Sequence, residues 1–109
     1  MFSDIRNGRA VVSWNLNEVG EPFVLGRYRA LSVQVSGEFF GGRVTIEGTN
    51  ETNEDAQYFV MNDPNGNPLV FMAPRGEQIL EDCVAIAPKF TGDNPKSTVK
   101  VSILLAQVR

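Results

Sequence analysis

The sequence predicts an all-β fold, a single antiparallel β-sandwich of jelly-roll-like type with about eight short strands. Three observations predict it. Apolar and polar residues alternate with a period of two in several runs. Gly, Pro, Asn and Asp interrupt these runs every 8–12 residues or so, the spacing expected between sandwich strands. No segment carries apolar residues at helical spacing over roughly three turns.

Four runs show the alternation most clearly, namely 12–16, 31–36, 43–47 and 98–103. Because successive side chains of a strand point to opposite faces, each run is typical of a strand with one face in the core and one in water. We expect their apolar members, together with Phe71, to form the centre of the core. The predicted core residues are Trp14, Val33, Val35, Val44, Ile46, Phe71, Val101 and Ile103.

Two further runs, 58–61 and 69–73, are apolar on both faces and rich in aromatic and branched side chains, which favours strands. The segment between them, 62–68, reads NDPNGNP and is dense in turn-forming residues, so we expect a hairpin or a corner there. Residues 82–90 are predicted as a strand that ends near Pro88 or lies at an edge, because proline cannot donate to the ladder.

The chain has 109 residues, which corresponds to one domain. Residues 1–8 fall outside the alternating pattern and are predicted as an N-terminal arm, with the sandwich spanning 9–109. The best helical candidate, 74–82, is short and begins with proline.

Composition excludes several classes of partner. Ten Lys and Arg against thirteen Asp and Glu leave a formal charge of -3 and a pI near 4.9, so no basic field is present to attract nucleic acid. No apolar run approaches the length of a membrane span, about 18 residues. The N-terminus lacks the apolar core of a signal peptide, and we expect a protein kept in a reducing cytoplasm. The single Cys83 cannot form an internal disulfide.

The sequence predicts no enzyme, with no catalytic or cofactor-binding residues. Histidine is absent, which removes the usual base for a serine or cysteine nucleophile, although a Ser–Lys pair is not ruled out by composition. The carboxylates fall almost entirely in turns or on wet strand faces, where nothing apolar would raise a pKa. Most aromatic residues occupy core-facing strand positions, and a sugar-binding platform is the alternative use for them.

The turn at 62–68 partly matches the start of a calcium-binding loop. Asp63, Asn65 and Asn67 have the alternate spacing that opens a calcium-binding loop. Such a loop also requires glycine at its sixth position and glutamate at its twelfth, where this chain has Pro68 and Pro74. We therefore predict a turn of Asx and Gly residues and no metal site.

Four stretches together resemble a known family. They are 32–37 (SVQVSG), 44–50 (VTIEGTN), 62–69 (NDPNGNPL) and 99–105 (VKVSILL). With a tryptophan near the start, this order is similar to that of the head decoration, or cement, proteins of tailed bacteriophages, over residues 12–105. The chain departs from the family pattern at Thr49, where the family turn reads GSN, and at 51–55, which lengthen the next loop.

The resemblance implies a function and a partner. Proteins of this family are small β-sandwiches that sit on assembled capsids, usually as trimers. It implies a structural virion protein without catalysis that binds the outside of a phage capsid and stabilises the shell. The partner would be the major capsid protein, and the location would be the capsid surface, after assembly in the host cytoplasm. A fibre-like or carbohydrate-binding virion module is the alternative.

Six residues are predicted to contact the capsid or a neighbouring subunit, and they fall in three segments. Residues 103–106 are apolar on both faces of one strand, and a sandwich strand has only one face to bury in its own core. Adjacent aromatic residues point to opposite faces of a strand. Two apolar residues on a polar arm suit a segment that orders on binding, unless they fold back onto the sheet. The six are Phe2, Ile5, Phe39, Phe40, Leu104 and Val108.

Overall fold

A computed structural model describes residues 2–6, 8–16 and 20–108, with backbone alone for residues 2–6. Within these ranges the chain forms ten strands and no helix. In chain order they are β1 (Phe2–Arg6), β2 (Arg9–Leu16), β3 (Phe23–Val24), β4 (Tyr28–Ser36), β5 (Arg43–Thr49), β6 (Phe59–Val60), β7 (Val70–Phe71), β8 (Arg75–Gln78), β9 (Ala85–Thr91) and β10 (Val99–Gln107).

The strands form two antiparallel sheets packed face to face, which confirms the predicted sandwich. Sheet A has the order β1-β2-β10-β4-β8. Sheet B has the order β3-β9-β5-β6, with β7 also paired to β5. Without β1, and with β6 and β7 counted as one strand, this is the eight-stranded jelly-roll order, in which the chain crosses repeatedly between sheets.

The segment predicted as an arm forms the edge strand of sheet A. Strand β1 pairs with β2 along its whole length, from Phe2 opposite Ser13 to Arg6 opposite Arg9. The segment therefore belongs to the sheet of its own chain. This agrees with the alternative in which the predicted arm folds back onto the sheet.

The core lies between the inward faces of the two sheets. Every predicted core residue is buried, and Phe71 and Ile46 are among the largest fully buried side chains. Trp14 is buried as well, and its indole Nε1 donates to the backbone oxygen of Glu21 at 2.7 Å. Alternation therefore predicted the inward faces of β2, β4, β5 and β10 correctly.

Two short strands were not predicted from the sequence. Strand β3 is only two residues long and pairs with β9. Strand β8 falls inside the segment 74–82 that was the best helical candidate, and it pairs with β4 through Ser32 opposite Gln78. Both strands are too short to show a period, and their pairing partners are distant in the chain.

Strands β6 and β7 share one position beside β5, since Glu47 lies opposite Val60 and Thr45 lies opposite Val70. Between them the segment 62–68 leaves the sheet and returns, and the amide of Leu69 donates to the oxygen of Met61 at 2.8 Å. The predicted hairpin or corner is thus an excursion from a single edge strand.

Asp63 holds the excursion in shape. Its Oδ1 accepts hydrogen bonds from the backbone amides of Asn65 at 2.9 Å and Asn67 at 3.0 Å. The Asx chemistry of this segment therefore serves the turn.

The carboxylate of Glu81 binds Asn62, the first residue of the segment 62–68. Its Oε1 accepts from the amide of Asn62 at 2.7 Å and its Oε2 accepts from Nδ2 of Asn62 at 2.6 Å. Burial acts to raise the pKa of Glu81, but the backbone and side-chain hydrogen bonds from Asn62, with one from its own backbone, lower it below 4.5 overall. A carboxyl whose pKa is lower in the folded chain stabilises the fold above its ordinary pKa, and this stabilisation is lost as pH falls through the folded value.

We expect Glu81→Gln to lower the free energy of unfolding by about 1 kcal/mol at pH 7, because the amide cannot accept both hydrogen bonds and the site is close to solvent. Urea titrations of both proteins should show this gap shrinking as the pH drops below 4.5. Glu54→Gln, on an exposed loop, is the control and should leave stability unchanged. A gap that is the same at pH 3 and pH 7 would contradict the assigned role.

Candidate interaction site

The adjacent aromatic residues Phe39 and Phe40, in the connection between β4 and β5, lie in different environments. Phe39 is 6% exposed and packs in the core, whereas Phe40 is 50% exposed. The two residues begin a tight turn that leads into β5, in which the amide of Gly42 donates to the oxygen of Phe39 at 2.8 Å. Phe40 has a φ of 46° and Gly41 a φ of 81°, which is the type I′ pattern.

Phenylalanine is an unfavourable residue at this turn position. Type I′ turns favour Asn, Asp and Gly where φ is positive. A left-handed conformation costs an ordinary L-residue roughly 1–2 kcal/mol. The backbone strain at Phe40 therefore destabilises the isolated domain, and its half-exposed ring gains only part of the stabilisation that full burial would give. Strain of this kind at a loop tip is typical of a residue kept for binding.

The other predicted contact residues are not gathered around Phe40. Leu104 is half-buried on the outer face of sheet A, opposite Val11 and Ser32. Val108 is exposed just beyond β10, at the opposite end of that strand from the Phe40 turn. The side chains of Phe2 and Ile5 lie outside the described residues.

The outer face of sheet A is largely polar. At its centre, the hydroxyls of Ser13 and Ser102 form a hydrogen bond of 3.1 Å. Its edge strand β8 has the sequence RGEQ, and Arg75 Nε lies 3.3 Å from Glu77 Oε1. Charged residues on a short edge strand discourage pairing with another sheet.

The outer face of sheet B is apolar over an area that the sequence analysis did not select. Val24 is 65% exposed, and Val60 and Tyr58 are exposed across the sheet from it. Between them, β9 contributes the small, buried side chains of Ala85 and Ala87, and β5 contributes the buried Thr49 and the half-buried Glu47, which lie opposite those alanines. The signal was present in the sequence, because 58–61 and 82–90 carry apolar residues at both parities.

Two shallow depressions mark this face. The larger has a volume of about 180 Å³, and its lining combines apolar residues that include Pro22, Val24, Tyr58 and Ala85 with the polar residues 51–53. The smaller, of about 90 Å³, shares Pro22 and Tyr58 and extends over Ala87. We call the larger one, with its walls Val24 and Tyr58, the sheet B depression.

A larger open groove of about 870 Å³ runs beside β8. It is bordered by residues 32–36 of β4, by 74–78 and by 63–65 of the excursion. None of these residues is aromatic, so the groove lacks the flat apolar ring on which sugars usually stack.

Cys83 lies in the connection before β9 and is unsuited to nucleophilic chemistry. Its Sγ donates to the oxygen of Ala85 at 3.3 Å. The pKa of Cys83 is raised to about 11, and burial is the main cause. A hydrogen bond with the backbone of Thr49 acts to lower this pKa, whereas the negative charges of Asp82 and Glu81 act to raise it. The thiolate is therefore scarce at neutral pH.

The buried polar side chains of the described part of the chain are hydrogen-bonded within the protein. No cluster of three or more potential metal ligands occurs within it, and no buried side-chain nitrogen or oxygen there lacks a hydrogen-bond partner. It also contains no helix long and apolar enough to cross a membrane.

These features define the chain as a jelly-roll β-sandwich with an exposed apolar patch on one outer face and one strained aromatic tip. The sequence matches no family model and no curated protein. Its fold is similar to that in the crystal structure of SPBc2 prophage-derived protein YomS, with a TM-score of 0.56 and 15% sequence identity. The similarity covers 93% of this chain and 98% of that chain, so the two share the fold from end to end.

Proposed function

We propose that this protein is a structural virion protein of a tailed bacteriophage, a decoration protein that binds the outside of the capsid as a homotrimer and has no catalytic role. The observation that carries the proposal is the end-to-end fold similarity to a prophage-derived protein. The jelly roll also recurs among viral capsid proteins, which is support by analogy of fold.

The surface supports a binding role. An exposed apolar face on a soluble domain marks a site of interaction with another macromolecule. Here the apolar patch on the outer face of sheet B and the exposed Phe40 lie on a domain whose described buried polar side chains all have hydrogen-bond partners. A protein that binds the assembled shell and not loose subunits stabilises the shell by mass action, by about 2.7 kcal/mol per site at a concentration of 100 Kd.

Co-sedimentation with empty expanded capsids, assembled from the major capsid protein of a tailed bacteriophage, tests the proposal. We expect saturable binding at micromolar protein and a rise in the melting temperature of the shells. Loose capsid subunits are the control and should not bind. Absence of binding at tens of micromolar would overturn the proposal.

A carbohydrate-binding virion module is the second candidate, favoured by the half-exposed ring of Phe40 at a loop tip. Glycan-array binding that is abolished by Phe40→Ala would support it over decoration. Binding to capsids with no glycan signal would exclude it.

A further inference from the structure

The strained tip and the apolar depression lie at opposite ends of β5. The Phe40 turn immediately precedes Arg43 at the start of the strand, and the sheet B depression lies beside Thr49 at its end, where Thr49 pairs with Ala85. Six residue steps along a strand span about 20 Å. Phe40 therefore cannot fill the depression of its own chain.

The depression has room for a phenyl ring on its apolar side. An enclosed apolar cavity of roughly 150 Å³ accepts benzene, whereas this depression is open to solvent and also has polar lining residues. The sheet B depression measures about 180 Å³, with the ring of Tyr58 and the side chain of Val24 as walls and Ala85 in its lining. A ring inserted there would cover the exposed apolar surface of both partners.

The charges around the two features are complementary. Arg43 is exposed beside the Phe40 turn and makes no ion pair among the described residues. Glu51 lines the depression, and the exposed Glu54 and Asp55 lie on the same loop. Docking the tip of one chain on the depression of another brings the guanidinium toward this acidic loop.

We propose that Phe40 of one copy of this chain inserts into the sheet B depression of a second copy. Because the tip and the depression are different patches, the contact is heterologous, and repeating it closes a ring when the rotation permits. The contact deepens the proposed function, since it is the interface that would build the homotrimer. It also gives the strained Phe40 a binding partner that compensates for its conformation.

Sedimentation velocity at micromolar concentration tests the contact with one variant on each side. Phe40→Asn removes the ring and suits the type I′ turn, so the chain stays folded. Val24→Glu adds a like charge beside the acidic loop at an exposed position. We expect each variant to raise the concentration needed for assembly at least tenfold, with mass falling toward the 12.0 kDa monomer. Val108→Asn, also an exposed apolar position, is the matched control and should assemble normally.

Mixing the two variants gives the sharper result. The Val24→Glu chain keeps its tip and the Phe40→Asn chain keeps its depression, so one contact is restored. We expect a species of two chains that neither variant forms alone. A mixture that remains monomeric overturns the contact.

The outcomes separate this inference from the proposed function. If Phe40→Asn still forms trimers, the contact is wrong while the trimer stands. If the wild-type chain is a monomer, the contact is wrong, and the capsid co-sedimentation still decides whether the protein decorates shells.

Discussion

Replacing Gly37 with alanine is expected to destabilise the domain by about 3 kcal/mol or more. Gly37 follows directly after β4, at the start of the connection to β5. Its φ is 103°, a value that L-residues rarely adopt. A Cβ at this position would lie 1.8 Å from the backbone oxygen of Thr98. That oxygen belongs to the segment entering β10, where the amide of Thr98 donates to the oxygen of Glu38 at 3.0 Å. Relieving the clash would therefore move the backbone of a central strand.

Thermal and urea unfolding measure this effect, and we expect the melting temperature to fall by about 12 °C or more. Gly26→Ala is the matched control. Gly26 also has a positive φ, of 58°, but nothing lies within 4 Å of its would-be Cβ. The control should therefore show only the cost of the left-handed conformation, about 1 kcal/mol. Equal losses from the two substitutions would show that the close approach to Thr98 contributes nothing.

Truncating Phe71 to alanine is expected to cost about 3–5 kcal/mol, because the lost ring leaves a cavity between the sheets. Phe71 is the largest fully buried side chain of the core, and it lies on β7 opposite Val44. The guanidinium of Arg75 lies 4.8 Å from the centre of its ring and adds a modest cation–π contribution.

The neighbouring Met72 is the control for Phe71. It is 69% exposed, so Met72→Ala should change the free energy of unfolding by less than about 0.5 kcal/mol. Phe71→Leu keeps most of the volume and should cost about 1.5 kcal/mol or less, which gives a measurable value if the alanine variant does not fold. Equal stability of the Phe71→Ala and Met72→Ala proteins in urea would refute the placement of Phe71.

Adjacent apolar residues, such as Phe39 and Phe40, show the limit of prediction from a local sequence pattern. Alternation predicts opposite faces for neighbours such as Phe39 and Phe40 only if they lie in a strand, and here they lie in the turn between β4 and β5. It does not fix which of them meets the core, because that depends on the turn geometry, and here the type I′ conformation leaves Phe40 outside. The same ambiguity applies to 58–61, whose two faces are both apolar. For this reason the exposure of Tyr58 and Val60 on the outer face of sheet B was not predicted.

The sequence by itself determined the fold class, the inward faces of β2, β4, β5 and β10, eight central core residues and the turn at 62–68, because side-chain alternation and turn chemistry are local properties. Only the tertiary structure decided the pairing of β1 with β2, the short strands β3 and β8, and the approach of Gly37 to Thr98. These features depend on backbone hydrogen bonds and contacts between segments far apart in the chain. A two-residue strand such as β3 is too short to show a period of its own. It forms because the edge of β9 that faces away from β5 offers backbone groups for hydrogen bonding.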